Sequence, residues 1–183
     1  DPTEGKKMKK LRIEINDNHY QKDFEIKEDT DLLLVIEKNT KTEVSFNVYN
    51  NITVRIKILS FCDSDSELFC EARMLGNNIN YSLQSLALIN NTSRKSEISI
   101  IIPKGSISCT ASEKEEAYLL TSNSKNNATV AVFSNEKDST ANHSYSCNKV
   151  SKQELLLLAA RGIDAPQAQK LIIDTKIRSF IDF

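Results

Sequence analysis

The sequence predicts a mainly β body closed by a C-terminal helical hairpin, and three observations carry that prediction. From Leu11 to about Phe133 the apolar residues recur with period two or in short runs. The runs are separated by clusters of Asn, Asp, Ser and Lys, giving a spacing of about ten residues per strand. At Ser151 the composition changes: Asn, common until then, vanishes and a run of strong helix formers begins. Short strands at regular spacing build either a sandwich or a β-solenoid, and periodicity alone does not separate the two.

The elements follow in order. Leu11, Ile13 and Ile15 alternate, as do Phe24 and Ile26; Leu32 to Ile36 is a continuous apolar run; Val44, Phe46, Val48 and then Val54, Ile56, Ile58 alternate again. Asn16-Asp17-Asn18, Asn39-Thr40-Lys41 and Tyr49-Asn50-Asn51 supply turns, because Asn and Asp side chains bond their own backbone. Later strands are expected at Tyr81 to Ile89, Glu97 to Ile102, Ala117 to Thr121 and Thr129 to Ser134. Lys152-Gln153-Glu154 opens a helix through Leu155 to Ala160, and Gly162 stops it. Asp164 caps a second helix with Pro166 in its first turn and a stripe of Ala168, Leu171, Ile172, Ile177 and Ile181. The expected organisation is a linker or disordered stretch over 1–10, a β domain over 11–150 and a helical segment over 151–183.

Composition excludes several function classes. With 183 residues the chain is one ordinary domain, and no apolar run approaches the roughly 20 residues of a membrane span. Lys and Arg number 24 against 25 Asp and Glu, a net charge of -1 that gives no general grip on nucleic-acid phosphates. Only 4 Gly are present, and neither G-x-G-x-x-G nor G-x-x-x-x-G-K occurs, which disfavours a nucleotide-binding loop.

Candidate chemistry is sparse. Cys62, Cys70, Cys109 and Cys147 form no C-x-x-C pair, so a zinc ribbon or redox dithiol is absent. Their even number, with N-x-[ST] triplets at Asn51, Asn80, Asn90, Asn91, Asn127 and Asn142, keeps open an alternative: a secreted or surface β-rich binding module with two disulfides and glycans. His19 reads as a solvated loop histidine. His143, in the polar turn Asn142-His143-Ser144, stands near Cys147, the one arrangement from which a nucleophilic Cys/His pair could be drawn. The acidic groups Asp63, Asp65, Glu67 and Glu113, Glu115, Glu116 read as solvated loops, and no central Gly makes either a calcium loop.

The tail, taken whole, runs Asn142-His143-Ser144, a short connection to Val150, a helix over Gln153 to Ala160, Arg161-Gly162-Ile163, then Ala168 and Leu171-Ile172. It resembles the SufB/SufD family of iron-sulfur cluster assembly proteins, whose C-terminal end runs S-H-G-A-T, a strand, a helix ending in S-R-G-I, then A-x-x-L-I. The spacing from His143 to Ile163 is that of the family without a gap. Upstream, Ile102-Pro103-Lys104-Gly105-Ser106-Ile107 looks like the family's V-x-x-G-A-x strand and Tyr118-Leu119-Leu120-Thr121 its L-L-L-S segment, while Asn127 to Phe133 matches the strand that follows. Met74-Leu75-Gly76-Asn77 with Tyr81-Ser82-Leu83 resembles the solenoid's strand-turn unit.

The resemblance implies a right-handed parallel β-helix with terminal helices, and a cytoplasmic scaffold rather than an enzyme. It implies a SufB-type partner paired through the β-helix, or a second copy of the chain there, and a SufC-type ATPase held by the C-terminal helices. Leu155, Leu158, Arg161, Gly162, Ile163, Ala168, Leu171 and Ile172 are the partner-binding residues so implied. His143 would lie at the subunit interface and help hold a transient iron-sulfur cluster shared with SufB; no tightly bound cofactor is implied. Where many members carry Cys two residues before the His, this chain has Ala141, which favours the SufD-like role; Ser144-Tyr145-Ser146 replaces Gly-Ala-Thr. Family members are usually more than twice this long, so a partial domain or a reduced SufD is expected.

Overall fold

The computed structural model describes residues 8–38 and 40–182. The chain alternates between two parallel sheets. Strands β1 (Lys9–Ile15), β3 (Thr30–Ile36), β5 (Thr53–Cys62), β7 (Asn80–Ile89), β9 (Thr110–Leu119) and β11 (Thr140–Asn148) lie in that order in a six-stranded sheet. Strands β2 (His19–Ile26), β4 (Lys41–Val48), β6 (Ser66–Met74), β8 (Ser93–Ile102) and β10 (Lys125–Ser134) form a five-stranded sheet. Each strand pairs in parallel with the one two elements later, the winding of a parallel β-helix, which decides for the solenoid over the sandwich.

The rungs lengthen along the chain. Lys9 stands beside Thr30, a step of 21, whereas Asn80 stands beside Thr110 and Thr110 beside Thr140, steps of 30. The insertions fall in the turns, so the solenoid shows no fixed sequence period. Those turns stack: Asn50 Oδ1 accepts from the Asn77 N–H at 2.7 Å, and Asn77 Oδ1 accepts from the Ile107 N–H at 2.8 Å. Asn51 and Asn78, both at positive φ, are joined by a side-chain bond of 2.9 Å. Gly76 belongs to this stack, where a Cβ would run into the Asn50 side chain.

Alternate residues point inward, and those of β3 to β8 make one continuous core that includes Leu34, Phe46, Ile56, Met74, Leu83 and Ile100. Phe24 stacks on Phe46 with ring centroids 5.2 Å apart. Helix α1 (Lys152–Ala159) buries no residue. Helix α2 (Ala165–Ile181) lies on the outer face of the six-stranded sheet, where Ile173 packs with Leu59, Leu86, Leu88 and Tyr118, joined by Ile177, Phe180 and Ile181.

Several expectations are corrected. β1 begins at Lys9, inside the stretch assigned to a linker; residues 1–7 and Asn39 lie outside the described residues. β6 is a strand where no strand was expected, so Glu67 is in a strand while Asp63 and Asp65 stay in the turn before it. The segment from Pro103 to Ile107 is the turn after β8 rather than a strand. Glu113, Glu115 and Glu116 are not in a loop: β9 starts at Thr110, and the period-two register turns Glu113 and Glu115 into the interior. His143 is in strand β11 rather than a turn, because the Thr140 to Asn148 segment pairs throughout with β9.

Candidate functional site at the C-terminal end of the β-helix

β11 and β10 are the last strands of their sheets, so their inward-facing residues line the end of the solenoid. On β11 these are Ala141, His143, Tyr145 and Cys147: Ala141 packs against the main core, and the alternation places the other three on the same face. No rung lies beyond them among the described residues, and His143, Tyr145 and Cys147 are exposed.

Directly beneath, the register sets Ala111 beside Ala141, Glu113 beside His143, Glu115 beside Tyr145 and Ala117 beside Cys147. Glu115 is fully buried and accepts from Arg94 Nη1 at 2.6 Å; Arg94 projects inward from β8 in the opposite sheet and is equally buried. The same Nη1 reaches Asn126 Oδ1 at 3.3 Å, and Asn126 Nδ2 donates to the Tyr145 hydroxyl at 3.0 Å. A polar chain therefore runs from the interior to the open end, from Glu115 through Arg94 and Asn126 to Tyr145.

Glu113 lies outside this chain. It is 2% exposed, and neither carboxyl oxygen has a hydrogen-bond partner. Burial, reinforced by the negative charge of Glu115, pushes its carboxyl up to about 8. Burial likewise raises the Cys70 thiol and the Tyr81 phenol, both facing the same interior.

His143 and Cys147 occupy one strand four positions apart, which at about 3.3 Å per residue separates them by about 13 Å. No proton can pass directly between them, so the Cys/His nucleophilic pair is ruled out. Among the described residues no group of three or more His, Cys, Asp or Glu is arranged to hold a metal ion; this end presents the His143 imidazole and, four positions along, the Cys147 thiol. Cys62, Cys70, Cys109 and Cys147 are all free, and the first three are buried; the two disulfides of the alternative reading are not formed.

The tail residues divide. Ser151 caps α1 by accepting from the Glu154 N–H, and Gly162, at φ 81°, ends that turn with its N–H on the Ala159 carbonyl. Leu155, Leu158 and Ile163 are half-buried and Arg161 is exposed, but α1 turns Leu156 and Leu157 to solvent at 69% and 65% exposure. Asp164 caps α2 by accepting from the Gln167 N–H at 2.9 Å. Ala168 is buried, Ile172 is half-buried and Leu171 is 49% exposed. Leu171 therefore does not anchor α2; Ile173 does, since the helix turns that residue onto Leu59 and Leu86. Leu155, Ala165, Gln169 and Ile173 line a groove between the two helices and the rim of β9. Among the described residues no helix is long and apolar enough to cross a membrane.

The fold and this site define a class: a parallel β-helix scaffold with an open C-terminal end and a helical hairpin laid along one sheet. Within that class, residues 97–175 match the family described as SUF system FeS cluster assembly, SufBD core domain. The matched segment runs from β8 into α2 and holds Glu113, His143, Tyr145, Leu156, Leu157, Leu171 and Ile173. Residues 97–175 are thus similar to that core domain, in line with the resemblance of the tail. The family is scaffold-like. No curated protein matches the chain.

Proposed function

We propose that the chain is a SufD-like, non-catalytic and cytoplasmic scaffold subunit of SUF cluster assembly. The observation that carries this reading is the open rung within the matched segment, where an edge strand presents His143 beside unpaired backbone. An edge strand of this kind pairs with another chain, and a SufB-type β-helix is the partner proposed. The nascent cluster is cargo rather than a resident cofactor. His143 supplies one imidazole to it, the borderline ligand that suits iron, and the partner supplies the remaining ligands.

The exposed side of the hairpin, Leu156 and Leu157 with Leu171, docks a SufC-type ATPase, in which nucleotide hydrolysis would reside. The inner side of α2 is occupied by the sheet and is unavailable. The test is co-expression with SufB-type and SufC-type partners, followed by iron and sulfide analysis of the purified complex. His143→Ala should leave the complex assembled and lower its cluster content at least several-fold; unchanged content would remove the imidazole from the site.

A further inference from the structure

We propose that Glu113 is the positioning residue for His143: the imidazole turns inward over the last rung and donates one ring N–H to the Glu113 carboxyl, leaving its other nitrogen unprotonated and facing outward. The inference deepens the reading of His143 as a ligand to cargo and rests on it for its purpose, although the bond itself can be tested on this chain alone.

Three observations support it. Glu113 and His143 are register partners on adjacent parallel strands, so their side chains leave the same face about 4.8 Å apart. Glu113 is buried with both oxygens unpartnered, and a buried acceptor without a donor is a group whose bond has yet to be made. Arg94 Nη2, Ser85 Oγ and Ser96 Oγ are buried, unpartnered donors of the same interior that do not reach it, and the donor with freedom to move is the exposed His143. On β7 the register partner of Glu113 is Leu83, which cannot donate. Glu115 is committed to Arg94, Cys70 on β6 is a weak donor fixed in the core, and the Tyr81 hydroxyl is held 1% exposed without reaching it. His143 is exposed, and rotation about its side-chain torsions carries the ring over the end of the solenoid.

Chemically, a neutral imidazole has one donor and one acceptor nitrogen, and the hydrogen bond made by the first determines which nitrogen the second is. A carboxyl behind the ring fixes both tautomer and orientation, as outer-shell carboxylates do behind ligating histidines.

The experiment is a long-range ¹⁵N–¹H correlation spectrum of the full chain at about pH 9.5, above the value of about 8 to which burial pushes the Glu113 carboxyl. The wild type should show His143 biased to one tautomer relative to a histidine in an unstructured peptide. Glu113→Gln, whose amide oxygen still accepts, should keep the bias, and Glu113→Leu should abolish it while the remaining amide spectrum stays dispersed. A wild-type ratio equal to that of the free peptide overturns the proposal without recourse to any variant, as does a bias that survives Glu113→Leu. Either result would leave the docking surfaces and the SUF assignment standing.

Discussion

Arg94 from one sheet holds Glu115 from the other at 2.6 Å across the interior of the β-helix, and both side chains are closed to solvent. The pair sits one rung beneath the open end, and through Asn126 it fixes the hydroxyl of Tyr145 at that surface. Removing one partner strands a buried charge, which typically costs about 3–5 kcal/mol, whereas replacing both by apolar residues is often neutral or better. Arg94→Leu should therefore lower the urea midpoint sharply, and Arg94→Leu with Glu115→Leu should recover most of it. Equal midpoints for the single and double variants would show that the pair does not act as a unit.

Glu113 gives the fold a pH dependence of definite sign. Its folded carboxyl titrates near 8 rather than at the ordinary 4.5, so between those values the folded chain keeps a proton that the unfolded chain has lost. Stability from this group is intact below pH 4.5, falls by up to about 1.4 kcal/mol per pH unit as pH rises toward 8, and levels off above. Urea denaturation at a series of pH values should show this decline in the wild type and a flatter profile in Glu113→Gln. Parallel profiles would refute the assignment.

The two faces of α2 should respond differently. Ile173 packs on Leu59, Leu86, Leu88 and Tyr118, so Ile173→Ala is expected to cost about 2–5 kcal/mol. Leu171 is half exposed, and Leu171→Ala should stay within about 0.5 kcal/mol of wild type. Thermal melts of the two variants check this. Deleting everything after Val150 would uncover the same sheet face, so truncation is a poor probe of partner binding.

Gly162→Ala tests the hairpin turn. The position has φ 81° and open space around a built Cβ, so the cost is conformational alone, about 1–2 kcal/mol in the hairpin. Hydrogen exchange of α1 amides should accelerate by roughly tenfold, with the β5 and β7 amides unchanged.

Most strands and both helices were legible because period-two and helical spacing are local: Val44, Phe46 and Val48 alternate as they pack, and Gly162 and Asp164 mark the hairpin, whereas β6 and β11, rich in polar residues, were not. The winding was not legible from periodicity, since rungs that lengthen from 21 to 30 residues leave no repeat, and it came from the resemblance of the tail instead. The polar interior was missed for a different reason. Glu113 and Glu115 are charged, and charge argues for a loop. Yet Ala111, Glu113, Glu115 and Ala117 keep the same alternation as Arg94, Ser96, Ile98 and Ile100, and that was the available clue. Leu171 and Ile172 satisfied helical spacing equally well as anchors, and only the sheet beneath α2 distinguishes them from Ile173.

The central claim, that this chain is a docking scaffold of SUF cluster assembly, is tested most directly by co-purification of the full chain with a SufC-type ATPase. The variant to compare is Leu156→Asp with Leu157→Asp, which alters side chains 69% and 65% exposed and should leave the melting temperature unchanged. The intact chain should retain the ATPase through size-exclusion chromatography and the double variant should lose it. Failure of the intact chain to bind, or equal binding by the folded double variant, would contradict the account.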